Sequence, residues 1–400
     1  MADTTKIEWT DATWNIINGC SIHTPGCTNC YAMLLAGTRL ANHPSRVGLT
    51  TPTKAGPVWN GTVRLYEPWL TLPLEWARPR DIFVCAHGDL FHDAVTEFML
   101  DQVFAVMALC AVTGRRHRFQ VLTKRSGNMR RYVSALAERA QHIAVRASQL
   151  NADAYRSMPA IVELLERGPL PNVMLGVSTE DQRRADERIP DLLATPAAMR
   201  WISAEPLLGP IDLEHVAAPV GDGEDEFEDN DWKLNALLAG SCYEFKSEDG
   251  YWYSGDGPEH RALDWVVVGG ESGRGARPMH PAWARSLRDQ CASAGVPFLF
   301  KQWGEWAPVC AIDETVITDE QLYHPRLAHN QPEGPRKCKV AQCVLHASGD
   351  GFDMDEWSRL QVPPGTLVYA AGAGAMQMMA IGKRRAGRLL DGVQHDGAPS

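Results

Sequence analysis

Along the chain, short runs of β-branched and aromatic residues alternate with stretches of helical periodicity, and Gly, Pro or polar turns separate them. The runs predict strands near Trp14–Asn18, Ile82–Ala86, Phe119–Thr123, Val173–Ser178, Arg200–Ala204, Trp265–Gly269 and Pro297–Lys301. Between them the pattern predicts helices over Tyr31–Leu40, Glu97–Cys110 and Trp283–Ala294, the last stopped by Gly295 and Pro297. Trp265-Val266-Val267-Val268 is apolar without alternation, as in a parallel sheet covered on both faces. Such a series of βα units predicts an α/β fold: a parallel (βα)6–7 barrel or partial barrel, rather than a two-layer sandwich.

Three stretches break the alternation. Arg130 to Arg167 is rich in Ala, Arg and Glu and reads as extra helices on one crossover. A segment at about 214–260 reads as an acidic surface insertion, and 308–366 as an irregular one. The barrel is therefore expected over 1–307, with a basic tail at 367–400 packing back on it.

The apolar share of 44% is ample for a core, and no window approaches the roughly 18 apolar residues of a membrane span. Asp3, Lys6, Glu8 and Asp11 stand where a secretory signal would be apolar, so a reducing cytoplasm is expected, with no membrane partner. In that compartment ten cysteines point to metal, cluster or core roles before disulfides. The net charge of −10 decides little, because Asp222–Asp231 holds seven of the acids; the other 42 acids against 39 bases leave −3.

The sharpest chemical feature is Gly19-Cys20-Ser21-Ile22-His23-Thr24-Pro25-Gly26-Cys27-Thr28-Asn29-Cys30-Tyr31, a C-x6-C-x2-C loop between the first predicted strand and helix. Three thiolates on a [4Fe–4S] cluster leave one iron free to chelate S-adenosylmethionine. One electron into the sulfonium then breaks a C–S bond and yields a 5′-deoxyadenosyl radical. The same thiols could instead hold zinc, with His23 as fourth ligand.

The chain also carries Leu122-Thr123-Lys124-Arg125, Gly176-Val177-Ser178-Thr179-Glu180-Asp181-Gln182, Ser203-Ala204-Glu205-Pro206-Leu207-Leu208-Gly209-Pro210, Val268-Gly269-Gly270-Glu271-Ser272-Gly273, Phe300-Lys301-Gln302-Trp303-Gly304-Glu305-Trp306 and Gly382-Lys383 with Ala386-Gly387-Arg388-Leu389-Leu390-Asp391-Gly392. Together with the cysteine loop, these blocks resemble a phage- and prophage-associated three-cysteine family of unknown function, itself similar to the radical-SAM superfamily. The six-residue arm is longer than the superfamily's usual three. In Ala86-His87-Gly88-Asp89-Leu90-Phe91-His92, the family's two serines are replaced. The resemblance implies a TIM-barrel-like partial barrel, an electron donor such as flavodoxin or ferredoxin, and a phage-encoded or neighbouring-gene partner protein.

In α/β barrels, chemistry gathers at the C-terminal ends of the strands. There the sequence puts Lys124, Glu205 and Lys301 as candidate catalytic residues, with Asp89, Ser178, Glu180, Gly269, Gly270 and Glu271 as candidate cofactor contacts. Carboxylates suit the SAM amino group or ribose hydroxyls, and lysines suit its carboxylate or a substrate phosphate. Helix caps and ion pairs closing the barrel are the bland alternative for each. Lys383-Arg384-Arg385 with Arg388 admits a nucleic-acid or nucleotide substrate, and a solvated helix face equally. Two other readings compete with the radical enzyme: a non-catalytic metal module that recognises nucleic acid or a protein, and a metal nuclease using Asp89, His87, His92 and Glu205. Cys338, Cys343 and His346, with Cys310, His324 and His329, read as loop residues before a second metal site. Cys85, Cys110, Cys242 and Cys291 read as buried thiols; Trp201, Trp265 and Trp283 read as packing, and Trp303 and Trp306 as candidate stacking platforms.

Overall fold

The seven apolar runs become the seven strands of one sheet. They are β1 (Ala12–Trp14), β2 (Asp81–Val84), β3 (Arg118–Thr123), β4 (Val173–Ser178), β5 (Met199–Ala204), β6 (Trp265–Gly269) and β7 (Phe298–Gln302). In this computed structural model they lie in chain order, each parallel to the next, and the sheet curls into a half-barrel. The expected α/β partial barrel is thus present. The structure describes residue 5 and residues 7–150, 154–218, 232–246, 252–312, 340–353 and 374–399. The first strand differs from expectation. It ends at Trp14, and Ile17–Asn18 leaves the sheet to pair antiparallel with Arg64–Leu65, so one apolar run serves two pairings.

Strand alternation gives the sheet two apolar faces. On the concave face, Trp9, Phe83, Met174, Trp201, Trp265, Val267 and Leu299 pack together. Gly176 stands in register with Trp201, and a Cβ there would overlap the indole, so glycine admits the large ring. The convex face carries α2 (Glu97–Val112), α3 (Gln182–Ala194) and α4 (Pro281–Ala294), while α1 (Tyr31–Gly37) packs on the hairpin Thr50–Thr53/Gly56–Trp59. Helix α2 buries residues all round, which requires a second layer outside it. Helices Ala140–Ser148 and Met158–Arg167 provide that layer, and Arg139 clamps it by a bidentate pair to the buried Asp101 (2.9 and 2.8 Å). Helix α4 ends as its sequence dictates, with Gly295 in the left-handed conformation at φ 70°.

The two later insertions are sheets where described. Val216–Ala217, Trp232–Leu234, Gly240–Lys246 and Trp252–His260 form one antiparallel set. Ala307–Pro308, Gln342–His346, Gly351–Asp353 and Ala375–Met379 form another. The acidic run Asp222–Asp231, Cys338, His324 and His329 lie outside the described residues. The tail returns to β7, the free edge of the sheet. Phe300 N donates to His395 O and Gly397 N to Phe298 O (both 3.0 Å), while Trp265 Nε1 donates to Gly397 O at 2.7 Å. Among the described residues, no helix is long and apolar enough to cross a membrane.

Candidate active site

Cys20, Cys27 and Cys30 lie on the loop leading into α1, wound through one 3-10 turn at Pro25–Cys27. The loop is tied to the C-terminal ends of four strands. Beyond β2, Ala86 O accepts from Tyr31 Oη (2.7 Å). Beyond β3, Arg125 donates through Nη1 to Cys20 Sγ (3.7 Å) and through Nη2 to Ser21 Oγ (2.7 Å). Beyond β4, Glu180 Oε1 accepts from Thr24 Oγ1 (2.9 Å), with Gly26 packed so close that a Cβ would strike the carboxylate. Beyond β6, Glu271 Oε2 accepts from Asn29 Nδ2 (3.0 Å). The thiols are thereby held before any ligand binds.

They face a cavity of about 830 Å³ at the mouth of the half-barrel, floored in part by Trp9 and Phe83. Of the residues singled out from sequence, Cys20, Cys27, Cys30, Asp89, Lys124, Ser178, Glu205, Gly270, Glu271 and Lys301 line it, while Glu180 and Gly269 do not. The two glycines face protein. A Cβ on Gly270 would run into the Trp303 carbonyl, and one on Gly269 would press on the Glu205 side chain. Close backbone approach is therefore what they permit, with this chain's own groups as neighbours.

The charged residues are engaged with one another. Lys301 Nζ bridges both Glu205 oxygens (2.8 and 2.7 Å), and Gln302 Nε2 adds a third bond to that carboxylate (3.2 Å). Glu271 is gripped by Arg277 through Nε (2.9 Å) and Nη2 (2.6 Å). Asp89 accepts from Thr123 Oγ1, Phe91 N, Lys124 N and Arg125 Nη1, so it braces the β2 and β3 loops. Glu180 is buried between Lys124 Nζ (2.5 Å) and Arg188 Nη1 (2.8 Å). Burial alone would push its carboxyl up; the two cations, with hydrogen bonds from Lys124 and Thr24, outweigh that and hold it at about 2.

Arg46, Arg125, Ser21 and Tyr31 line the cavity although the sequence assigns them no role; His87, weighed as a nuclease ligand, lines it too, and His92 stands just behind the lining. Arg125 is buried and pairs with Asp89 (3.0 Å) and Asp93 (3.4 Å). Ser21 Oγ accepts from Arg125 and meets His92 Nε2 at 2.9 Å; the Ala94 N–H on His92 Nδ1 leaves Nε2 as the protonated nitrogen. Arg46 donates to His87 Nδ1 at 2.8 Å, and burial with this guanidinium lowers His87 to about 4, so the ring is neutral near pH 7. The signal for Arg125 was its place in the Leu122–Arg125 block; His87 stood out as a replacement, and Arg46 left no pattern at all. Tyr31 is 52% exposed at this mouth, with its hydroxyl fixed.

Other expectations are corrected. Trp303 is buried against Phe300 and donates to Leu389 O, so it is packing; Trp306 Nε1 is bonded to Ala276 O. Cys85, Cys110 and Cys291 are buried, but Cys242 is exposed.

Cys20, Cys27 and Cys30 are free thiols facing one cavity, and burial pushes Cys20 up to about 12, so ligation must displace its proton. Among the described residues, no three His, Cys, Asp or Glu side chains converge on a point fit for a single ion. Zinc bonds of about 2.3 Å need such convergence, and His23 is exposed away from the cavity. A cluster takes each thiolate on a different iron, and these three thiols line one cavity. Nor do Asp89, His87, His92 and Glu205 form an ion-holding group among the described residues: Asp89, His87 and Glu205 share the cavity, but each is engaged with a cation and His92 with Ser21.

A family model described as a protein of unknown function, DUF5131, matches residues 4–399. The chain belongs to the DUF5131 family. No curated protein and no solved structure matches it. The DUF5131 match takes in the cysteine loop, all seven strands and the tail, and carries no activity with it.

Proposed function

We propose that this DUF5131 protein is an iron–sulfur enzyme of the radical-SAM type, related to phage-associated three-cysteine proteins, with a nucleic acid or nucleotide as substrate. Cys20, Cys27 and Cys30 would hold a [4Fe–4S] cluster. One observation carries the reading: three free thiols on the loop after the first strand, braced by four strand ends, facing one cavity at the C-terminal mouth of a parallel half-barrel. The chemistry a bound cluster supplies is one-electron cleavage of a SAM C–S bond, with the electron from a flavodoxin or ferredoxin.

The chain's own groups bind and orient. Glu205 and Lys301 present both charge signs side by side on the wall, which complements a zwitterionic amino-acid end. Ser178 and Ser203 offer hydroxyls on the same wall, and Trp9 and Phe83 exclude water below it. Lys124, anchored to Glu180, keeps positive charge at the rim beside the cysteine loop.

Anaerobic purification and reconstitution should give a brown protein with about four irons per chain. With dithionite and SAM it should release 5′-deoxyadenosine, and Cys27→Ala should abolish that release. A colourless protein with one zinc per chain refutes the reading in favour of a metal-stabilised recognition module.

A further inference from the structure

Arg125 is more than a brace. We infer that its guanidinium makes a cluster on Cys20 easier to reduce, an inference that rests on the cluster reading above. Nη1 stands 3.7 Å from Cys20 Sγ and 3.0 Å from Asp89 Oδ2, and the side chain is buried. Arg125 is the cation bonded to the sulfur, and the Asp89 carboxylate on the same guanidinium opposes it, so the effect of Arg125 is read with Asp89 held constant. Asp93, the other carboxylate on this cation, is 72% exposed, so water screens it. His92 reaches the same centre only through Ser21 and is lowered by burial, hence neutral. No other cation among the described residues is bonded to a cysteine-loop sulfur.

Hydrogen bonds and positive charge at a cluster thiolate withdraw electron density and stabilise the reduced state, more strongly where the site is dry. The step is one electron gained from an external donor; no bond is made or broken and no proton moves. A brace alone would alter stability and leave the potential unchanged.

The test compares anaerobically reconstituted wild type, Arg125→Gln and Arg125→Lys in a mediated dithionite titration, followed by the EPR signal of the reduced cluster. Arg125→Gln should be about tenfold harder to reduce, about 59 mV lower for a one-electron couple. Arg125→Lys keeps the charge and should fall between. Equal midpoints in loaded wild type and Arg125→Gln overturn the role of Arg125 and leave the cluster reading intact. A wild type that takes up no iron overturns both. If the unpaired Asp89 prevents Arg125→Gln from loading, Asp89→Asn is compared with Asp89→Asn carrying Arg125→Gln, and the double variant should have the lower midpoint; equal midpoints overturn the inference. Failure of every variant to load a cluster marks Arg125 as scaffold and overturns the inference.

Discussion

Replacing Glu180 by Gln removes one negative charge from between two buried cations while keeping the side chain's shape. Glu180 is 1% exposed and Arg188 2%, so solvent screens little of the loss. Two routes give its size. A carboxyl held at about 2 instead of 4.5 corresponds to about 3 kcal/mol at 1.36 kcal/mol per unit. Removing one partner of a buried pair typically costs about 3–5 kcal/mol, because the other charge is left stranded. Arg188 keeps only the Ser178 carbonyl (2.6 Å), and Lys124 loses its carboxylate. The folded pKa is depressed, so this stability is fully present above the unfolded value of 4.5 and is lost as pH falls toward about 2. Urea unfolding of metal-free protein at pH 7 should therefore show Glu180→Gln about 3 kcal/mol less stable. Between pH 5 and 3 the wild type should lose stability more steeply than the variant. A difference below about 1 kcal/mol at pH 7, with parallel acid slopes, refutes the reasoning.

Other outcomes follow from the same contacts. Thr24→Val removes the hydroxyl that ties the cysteine loop to Glu180 and should cost about 1 kcal/mol, measurable by urea unfolding, with iron uptake slowed. Gly270→Ala forces the Trp303 carbonyl away and should destabilise by about 1–3 kcal/mol; an unchanged melting temperature refutes the close approach. Asp391→Ala frees the tail from Arg285 and Arg288, at a cost of about 1 kcal/mol or less because the pairs are part-exposed. Its readout is faster tryptic cleavage after Lys383–Arg385.

What the sequence disclosed and what it withheld divide along one physical line. A strand's side chains alternate faces, so the apolar runs locate the strands, and the residue after each run is placed at the barrel mouth whatever lies around it. That reasoning brought Lys124, Ser178, Glu205 and Glu271 to one cavity. It fails at Trp14–Asn18, where one apolar run is shared by two sheets, whereas Arg130–Arg167 carries the expected extra helices on the β3–β4 crossover. Partners are a different matter, because they come from other strands. Lys124 and Arg125 are adjacent cations in the sequence, yet successive side chains leave a strand end on opposite sides. Lys124 turns to Glu180 beyond β4, while Arg125 turns back to Asp89 beyond β2 and so reaches Cys20. Which cation approaches the sulfur was thus fixed by the order of neighbouring strands, which no local window contains. The same geometry explains why Glu180 and Asp89, chosen as ligand-facing carboxylates, are engaged internally. A ligand at this mouth meets Glu180 only through the loop it holds, whereas Arg125 with its partner Asp89, and Glu271, hold the loop and line the cavity as well.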